Sequence, residues 1–194
     1  MKITRVAQII TVFSLLISQT GFAQEGTKRA LLIGINKYEE LPWLSGSRND
    51  VEVMKEILIR RYDFPDQNIT TLFDEAATRV AILQALEAFV ASVGPNDTVL
   101  VHYSGHGSQV QDLDGDEEDG LDETICPSDA RTEGVPDITD DELNGILGRI
   151  DAASYVVILD SCHSGTAMRA AASGIVSRSV PPDTRVELYD DQSV

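Results

Sequence analysis

Cys162 and His106 are the side chains of this 194-residue sequence whose types and settings point to nucleophilic chemistry. Cys162 stands in Asp160-Ser161-Cys162-His163-Ser164-Gly165, directly after the apolar run Val156-Val157-Ile158-Leu159, and His106 stands in Ser104-Gly105-His106-Gly107, directly after Thr98 to Tyr103. A thiol attacks as its thiolate, and a free one with a pKa near ~8.5 needs help at neutral pH. A nearby imidazole supplies it: as imidazolium it protonates the amine leaving a peptide carbonyl, and as a base it then activates the water that releases the acyl group. His163 is no substitute, because adjacent residues on an extended chain point apart. His102 lies four before His106, but in a strand-to-glycine setting that does not give the helical spacing of a zinc pair. The structural alternatives for Cys162 are a small buried hydrophobe and a disulfide to Cys126, the other cysteine of the chain.

Two strand ends are needed to bring such a pair together, and the pattern supplies them. Ser154 to Asp160 reads as a strand buried on both faces, as in a parallel sheet, where ligands gather at the carboxyl ends. Arg29 to Ile35, Ile69 to Phe73 and Thr98 to Tyr103 read as further strands. Helices are expected from Ser47, with Ser-x-x-Asp as a cap and Val51, Met54, Leu58 and Ile59 facing the sheet, and over Thr78 to Val93, with Ile82, Leu83, Leu86, Phe89, Val90 and Val93 in one stripe. A third helix runs from Asp140 to about Ile150 behind the capping box at Thr139 to Glu142. Between them come a long acidic loop, Asp112 to Glu123, and a short extended piece at Thr124 to Pro127. Strands alternating with helices predict an α/β fold with a mostly parallel sheet covered on both faces. From about Ala170, small and polar residues with Pro181-Pro182 read as a flexible tail or linker.

The amino terminus reads as a secretory leader over residues 1–23: Lys2 and Arg5 precede an apolar stretch from Val6 to Ile17, and Gly21-Phe22-Ala23 forms a cleavage site. The stretch is short and interrupted for a membrane span. The expected locale is therefore secreted or periplasmic, with no membrane attachment after cleavage. The formal charge of −17 excludes nucleic acid as a natural partner and favours cations and basic substrates.

His106 in Tyr-Ser-Gly-His-Gly and Cys162 in Asp-Ser-Cys-His-Ser-Gly resemble the catalytic pair of caspase-like cysteine peptidases, and most closely metacaspases. Supporting stretches are Asp114 to Gly120, Asp122-Glu123-Thr124 and Ile138 to Leu143, and the likeness covers about Lys28 to Thr166. The histidine precedes the cysteine by roughly the ~50 residues seen in caspases. The resemblance implies a caspase-like three-layer sandwich with a catalytic domain over residues 24–168 and a tail over 169–194. It implies a cysteine endopeptidase with a Cys162/His106 dyad, an oxyanion held by the N–H groups of Gly107 and Cys162, and no assigned third member. It also implies a pocket of Asp50, Ser104, Asp160 and Ser47 that takes Arg or Lys, although many relatives carry cysteine at the place of Ser47. Two carboxylates in a partly dry pocket prefer a guanidinium or ammonium.

Resemblance to calcium-responsive metacaspases points to Asp122, Asp140 and Asp141 as oxygen ligands, with Arg169 where a fourth carboxylate would fall. The acidic loop itself only mimics an EF-hand, since Glu117 stands where that motif needs glycine. Asp50 could equally cap its helix, and Asp140 and Asp141 could equally complement a helix dipole. A complete caspase-like domain resembles a longer sheet whose later strands come from a small segment, and no clear strand follows Cys162 here. The small segment is expected to be missing or to come from another chain, unless the protein is a remnant that cleaves nothing; Arg169, Arg178 and Arg185 would lie in the linker, where basic-specific self-cleavage could occur, though an ordinary charged tail is the stronger reading of them. The alternative from a different class is a catalytically incomplete, calcium-responsive binding or regulatory module. Legumain-like and clostripain-like peptidases are the other enzymes to consider.

Overall fold

The computed structural model describes residues 26–115, 117, 119–161 and 178–189, and the expected leader, Cys162 and Arg169 lie outside the described residues. Four strands, β1 (Lys28–Gly34), β2 (Ile69–Phe73), β3 (Thr98–Ser104) and β7 (Ser154–Asp160), form a parallel sheet in the order β2-β1-β3-β7. The helices are α1 (Ser47–Tyr62), α2 (Arg79–Ser92) and α3 (Asp140–Leu147). Alternation along β1 decides which face each helix covers. Ala30 and Leu32 pack with Val51 and Leu58 of α1, whereas Leu31 and Ile33 pack with Ile82, Leu86 and Phe89 of α2 and Leu143 of α3. Period-two side chains on the sheet meeting period-3.6 stripes on the helices give three layers, and the α/β expectation holds.

The helix starts divide the capping expectations. Thr78 accepts from the N–H of Ala81 at the start of α2, and Thr139 with Glu142 forms a full capping box on α3. The expected cap on α1 is not made: Gly46 is the residue before the helix, and no side chain caps it. Asp50 is thereby left for another role. A Cβ on Gly34, the last residue of β1, would lie 2.9 Å from the carbonyl of Ser47. Glycine there lets the first turn of α1 press against the end of the sheet, which carries Asp50 to the strand ends.

Three expectations need correction. The acidic loop is the tip of a hairpin: β4 (Gly107–Gln111) pairs antiparallel with β5 (Leu121–Ile125), and β6 (Ile138–Thr139) completes a small second sheet. Its strands are short and polar, so no alternation announces them. β7 has the expected bounds but not the expected burial. It is the last strand of its sheet among the described residues, and Tyr155, Val156 and Leu159 are 56%, 48% and 45% exposed. The continuous apolar run signals a cover that the described residues do not provide. Residues 178–189, read as part of a tail, are docked: Val180, Asp183 and Tyr189 are buried, and Ser179 and Asp183 bridge to Gly107 and Val110 of β4 in parallel fashion.

Candidate active site

Parallel register puts three residues in one row at the carboxyl end of the sheet. Gly34 pairs with Ser104, and Ser104 pairs with Asp160. With Asp50 brought over by α1, the Ser104 hydroxyl lies 3.4 Å from a carboxylate oxygen of each aspartate. Into this cluster runs the side chain of Arg178. One guanidinium nitrogen donates to the Ser104 hydroxyl at 2.9 Å, to the Asp160 carbonyl at 3.0 Å and to the Asp160 carboxylate, and the other donates to Asp50. Burial works against this charge, but the two carboxylates outweigh it and raise the Arg178 pKa above its ordinary value. Gly46 forms part of the wall, since a Cβ there would come within 3.3 Å of the guanidinium. Ser47 is fully buried, but its hydroxyl has no hydrogen-bond partner among the described residues, Arg178 included.

His106 follows β3 by two residues and is 1% exposed. Its ring nitrogens face two carbonyl oxygens, with Nε2 2.7 Å from Pro42 and Nδ1 2.8 Å from Arg178. Carbonyls only accept, so a neutral ring satisfies one of them and an imidazolium satisfies both. Burial pulls the His106 pKa below the usual value, while the two carbonyls oppose that. A proton held on Nε2 for Pro42 leaves Nδ1 as the working nitrogen. The Arg178 carbonyl also accepts from the Gly107 N–H at 2.9 Å. The Arg178–Ser179 peptide bond thus lies where an imidazole and a backbone donor converge, with the arginine side chain in an acidic pocket.

The support around His106 was not visible in the sequence. The His106 N–H donates to the Tyr38 hydroxyl at 2.8 Å, and the Tyr103 hydroxyl donates towards the His106 carbonyl at 2.7 Å. Tyr38 and Pro42 sit on the loop after β1, which Asp74 fastens by accepting from the N–H groups of Asn36 and Lys37 at 2.8 and 3.1 Å. Pro42 acts through its backbone carbonyl, and a carbonyl carries no signal in residue type. Cys126 is a buried free thiol whose pKa is pushed well up by burial, so the disulfide alternative does not hold for it. Ser161, next to Cys162, continues directly from β7.

A second acidic group lies at the hairpin and the start of α3. Asp122 is 8% exposed, and its Oδ1 has no hydrogen-bond partner among the described residues. Burial first, then Asp112, Asp141, Asp140 and Asp114, push its carboxyl up to about 7. Asp140 is raised too, by burial and by Asp141. Asp122 and Asp141 line a cleft of about 790 Å³ together with Asp114 and Glu142. Carboxylate oxygens of Glu117, Glu123 and Asp140 lie within 4.8 Å of one another. An orphaned buried oxygen of Asp122 among neighbouring carboxylates suits a hard divalent cation.

The sequence profile of the metacaspase, peptidase C14 domain matches residues 28–171. The chain belongs to the metacaspase family. It is 40% identical over 151 residues to Metacaspase-1 of Eremothecium gossypii, covering 74% of this chain and 33% of that protein. To Metacaspase-1 of Cryptococcus neoformans var. neoformans serotype D it is 44% identical over 151 residues, 74% of this chain and 33% of the relative. The chain therefore spans about a third of these curated metacaspases. A crystal structure of a Geobacter sulfurreducens protein superposes with a TM-score of 0.62 at 36% identity, covering 80% of this chain and 58% of that one. In this metacaspase domain, Asp50, Ser104 and Asp160 come together around Arg178, and His106 and Gly107 meet at its carbonyl. The Ser47 hydroxyl makes no hydrogen bond to them among the described residues.

Proposed function

We propose that this chain is a cysteine endopeptidase that hydrolyses peptide bonds after arginine or lysine. The observation that carries the reading is Arg178, whose guanidinium lies between Asp50 and Asp160 while its carbonyl accepts from Gly107 and faces Nδ1 of His106. This is the pose a substrate needs: charge recognition on one side of the α-carbon and the reacting carbonyl on the other. Cys162, two residues beyond the end of β7, is the proposed nucleophile. Its thiolate attacks the carbonyl carbon, the oxygen gains negative charge against the Gly107 N–H and that of Cys162, and imidazolium at His106 protonates the departing amine. His106 then takes a proton from water, and the hydroxide formed displaces the thiolate from the acyl group. Pro42 keeps the ring oriented throughout. A preorganised donor such as Gly107 is typically worth about 3 to 4 kcal/mol to such a step.

Calcium is the proposed activating ion, with Asp122, Asp140 and Asp141 as ligands and no role in bond breaking. Bound there, it would neutralise carboxylates that now repel one another and would fasten the hairpin of β4 and β5, whose first residue is Gly107. Protein or peptide substrates rich in basic residues are the proposed partners, in a secreted or periplasmic setting after removal of the leader. The exposed edge of β7 supports a further segment, from this or another chain, as a covering partner. It also favours the second reading, an incomplete domain that binds without cutting. One comparison tests both: hydrolysis of an Arg-ended fluorogenic peptide with calcium by the wild type and by Cys162→Ala. Activity lost in the variant supports the peptidase, and equal traces in both favour the binding module.

A further inference from the structure

Beyond Arg178 the chain is held on β4 by a cluster that the pocket does not require. The N–H groups of Val180 and Asp183 donate to the carbonyls of Gly107 and Gln109 at 3.0 and 2.8 Å, so residues 178–183 lie along the strand like an added one. Arg131, at a positive φ of 71°, sends its guanidinium to this segment. One nitrogen reaches the Pro181 carbonyl at 3.2 Å and the Asp137 carboxylate at 2.7 Å, and the other lies 3.3 Å from Asp183. Asp137 is fully buried and fixes the guanidinium. Asp183 is 3% exposed and also accepts from the Tyr189 hydroxyl at 2.8 Å and from the guanidinium of Arg185, two residues on, at 2.9 and 2.7 Å.

A buried carboxylate held between a braced arginine and Arg185 of its own segment is costly to misplace, because a shift of the strand by one residue takes it away from Arg131 and turns each side chain to the opposite face. The pocket alone gives no such register, since it would take any arginine or lysine. We propose that Arg131, braced by Asp137, is a specificity-determining residue on the leaving-group side of the groove: it reads a carboxylate five residues after the arginine in the pocket, here Asp183 after Arg178, and so fixes which bond faces His106. The inference rests on the reading of the groove as a peptide-binding site. The preferred segment has the form arginine, four residues, then an acid.

Protection of the Arg178–Ser179 bond from trypsin, in full-length Cys162→Ala protein that cannot cut itself, reads the docking without relying on the chain's own chemistry. Cleavage at that bond is counted by mass spectrometry, and it tracks the fraction of time the segment is open. Asp183→Asn, which keeps shape and removes charge, should speed this cut by roughly 10-fold or more, and Asp183→Glu should restore most of the protection. Arg131→Lys, which keeps the charge but not the fork, should fall between them. In protein with Cys162 intact, Asp183→Asn should also slow self-cleavage at Arg178 while leaving or raising turnover of a short Arg-ended peptide. Equal trypsin rates in the wild type, Asp183→Asn and Arg131→Lys would overturn the proposal. Loss of all peptidase activity in the intact protein would instead count against the peptidase reading, and the protection series would still decide this one.

Discussion

Replacing Asp50 by asparagine removes one negative charge from the arginine pocket and leaves its shape. In the folded chain Asp50 takes one guanidinium nitrogen while Asp160 and Ser104 take the other. A hydrogen bond between charged partners contributes about 1.5 to 3 kcal/mol when buried. The Asp50 side chain is 37% exposed, so water screens the pair and the lower end applies, about 1 to 1.5 kcal/mol. That corresponds to a loss of roughly 5- to 10-fold in kcat/KM for an Arg-ended peptide. A citrulline-ended peptide, neutral but of the same shape, should change less than about 2-fold. The measurement is the Arg-to-citrulline ratio of kcat/KM in wild type and variant, with calcium present. Because Asp50 and Asp160 share one guanidinium, the double replacement should deviate from the sum of the two single effects. An unchanged ratio in Asp50→Asn would refute the pocket assignment, as would peptides ending in aspartate turning over faster than those ending in arginine.

Gly105→Ala should cripple activity more than folding. A Cβ there would crowd the hydroxyl of Tyr103 and come within 2.7 Å of that of Tyr38, the two groups that hold the His106 backbone. A displacement of that order at a catalytic group can cost about 100-fold in kcat, measured beside thermal unfolding of the same protein. Asp122 gives a pH test. Its pKa near 7 in the folded chain lies above its unfolded value, so the folded state holds this proton more tightly. The resulting stability is fully present below about pH 4 and is lost as pH rises towards 7. Calcium-free protein should lose melting temperature over that window, and Asp122→Asn should not. Calcium should raise the melting temperature more at pH 8 than at pH 6 in the wild type, and by little in the variant. A calcium shift independent of both pH and Asp122 would remove this residue from the ligand set.

The sheet and its helices were legible because their signals are periodic. β2, β3 and β7 begin at Ile69, Thr98 and Ser154, the residues where the sequence places their starts, and the stripe of Ile82, Leu86 and Phe89 is the buried face of α2. The hairpin of β4 and β5 was not legible, since its turn is held by one side chain: Asp112 accepts from the N–H groups of Asp114, Gly115 and Glu117 at 2.9, 2.6 and 3.1 Å. Asp50, Ser104 and Asp160 were named through resemblance, and the register of β1, β3 and β7 explains why residues so distant in sequence share a pocket. Pro42 and Tyr38 carry no signal in the sequence, because one works through a carbonyl and the other through contact with a backbone N–H. Residues 178–189 look featureless in sequence because ion pairs and single hydrogen bonds hold them, and such contacts have no period. Ser47 shows the converse: its place in the motif matches, yet among the described residues its buried hydroxyl makes no hydrogen bond.

Covalent labelling tests the pairing of thiol and pocket most directly. Full-length protein with calcium, treated with an arginyl fluoromethyl ketone and digested for mass spectrometry, should carry one adduct, on Cys162, and the labelling rate should fall in His106→Ala and in Asp50→Asn. An adduct on Cys126, or labelling of Cys162 at a rate indifferent to both replacements, would contradict the account.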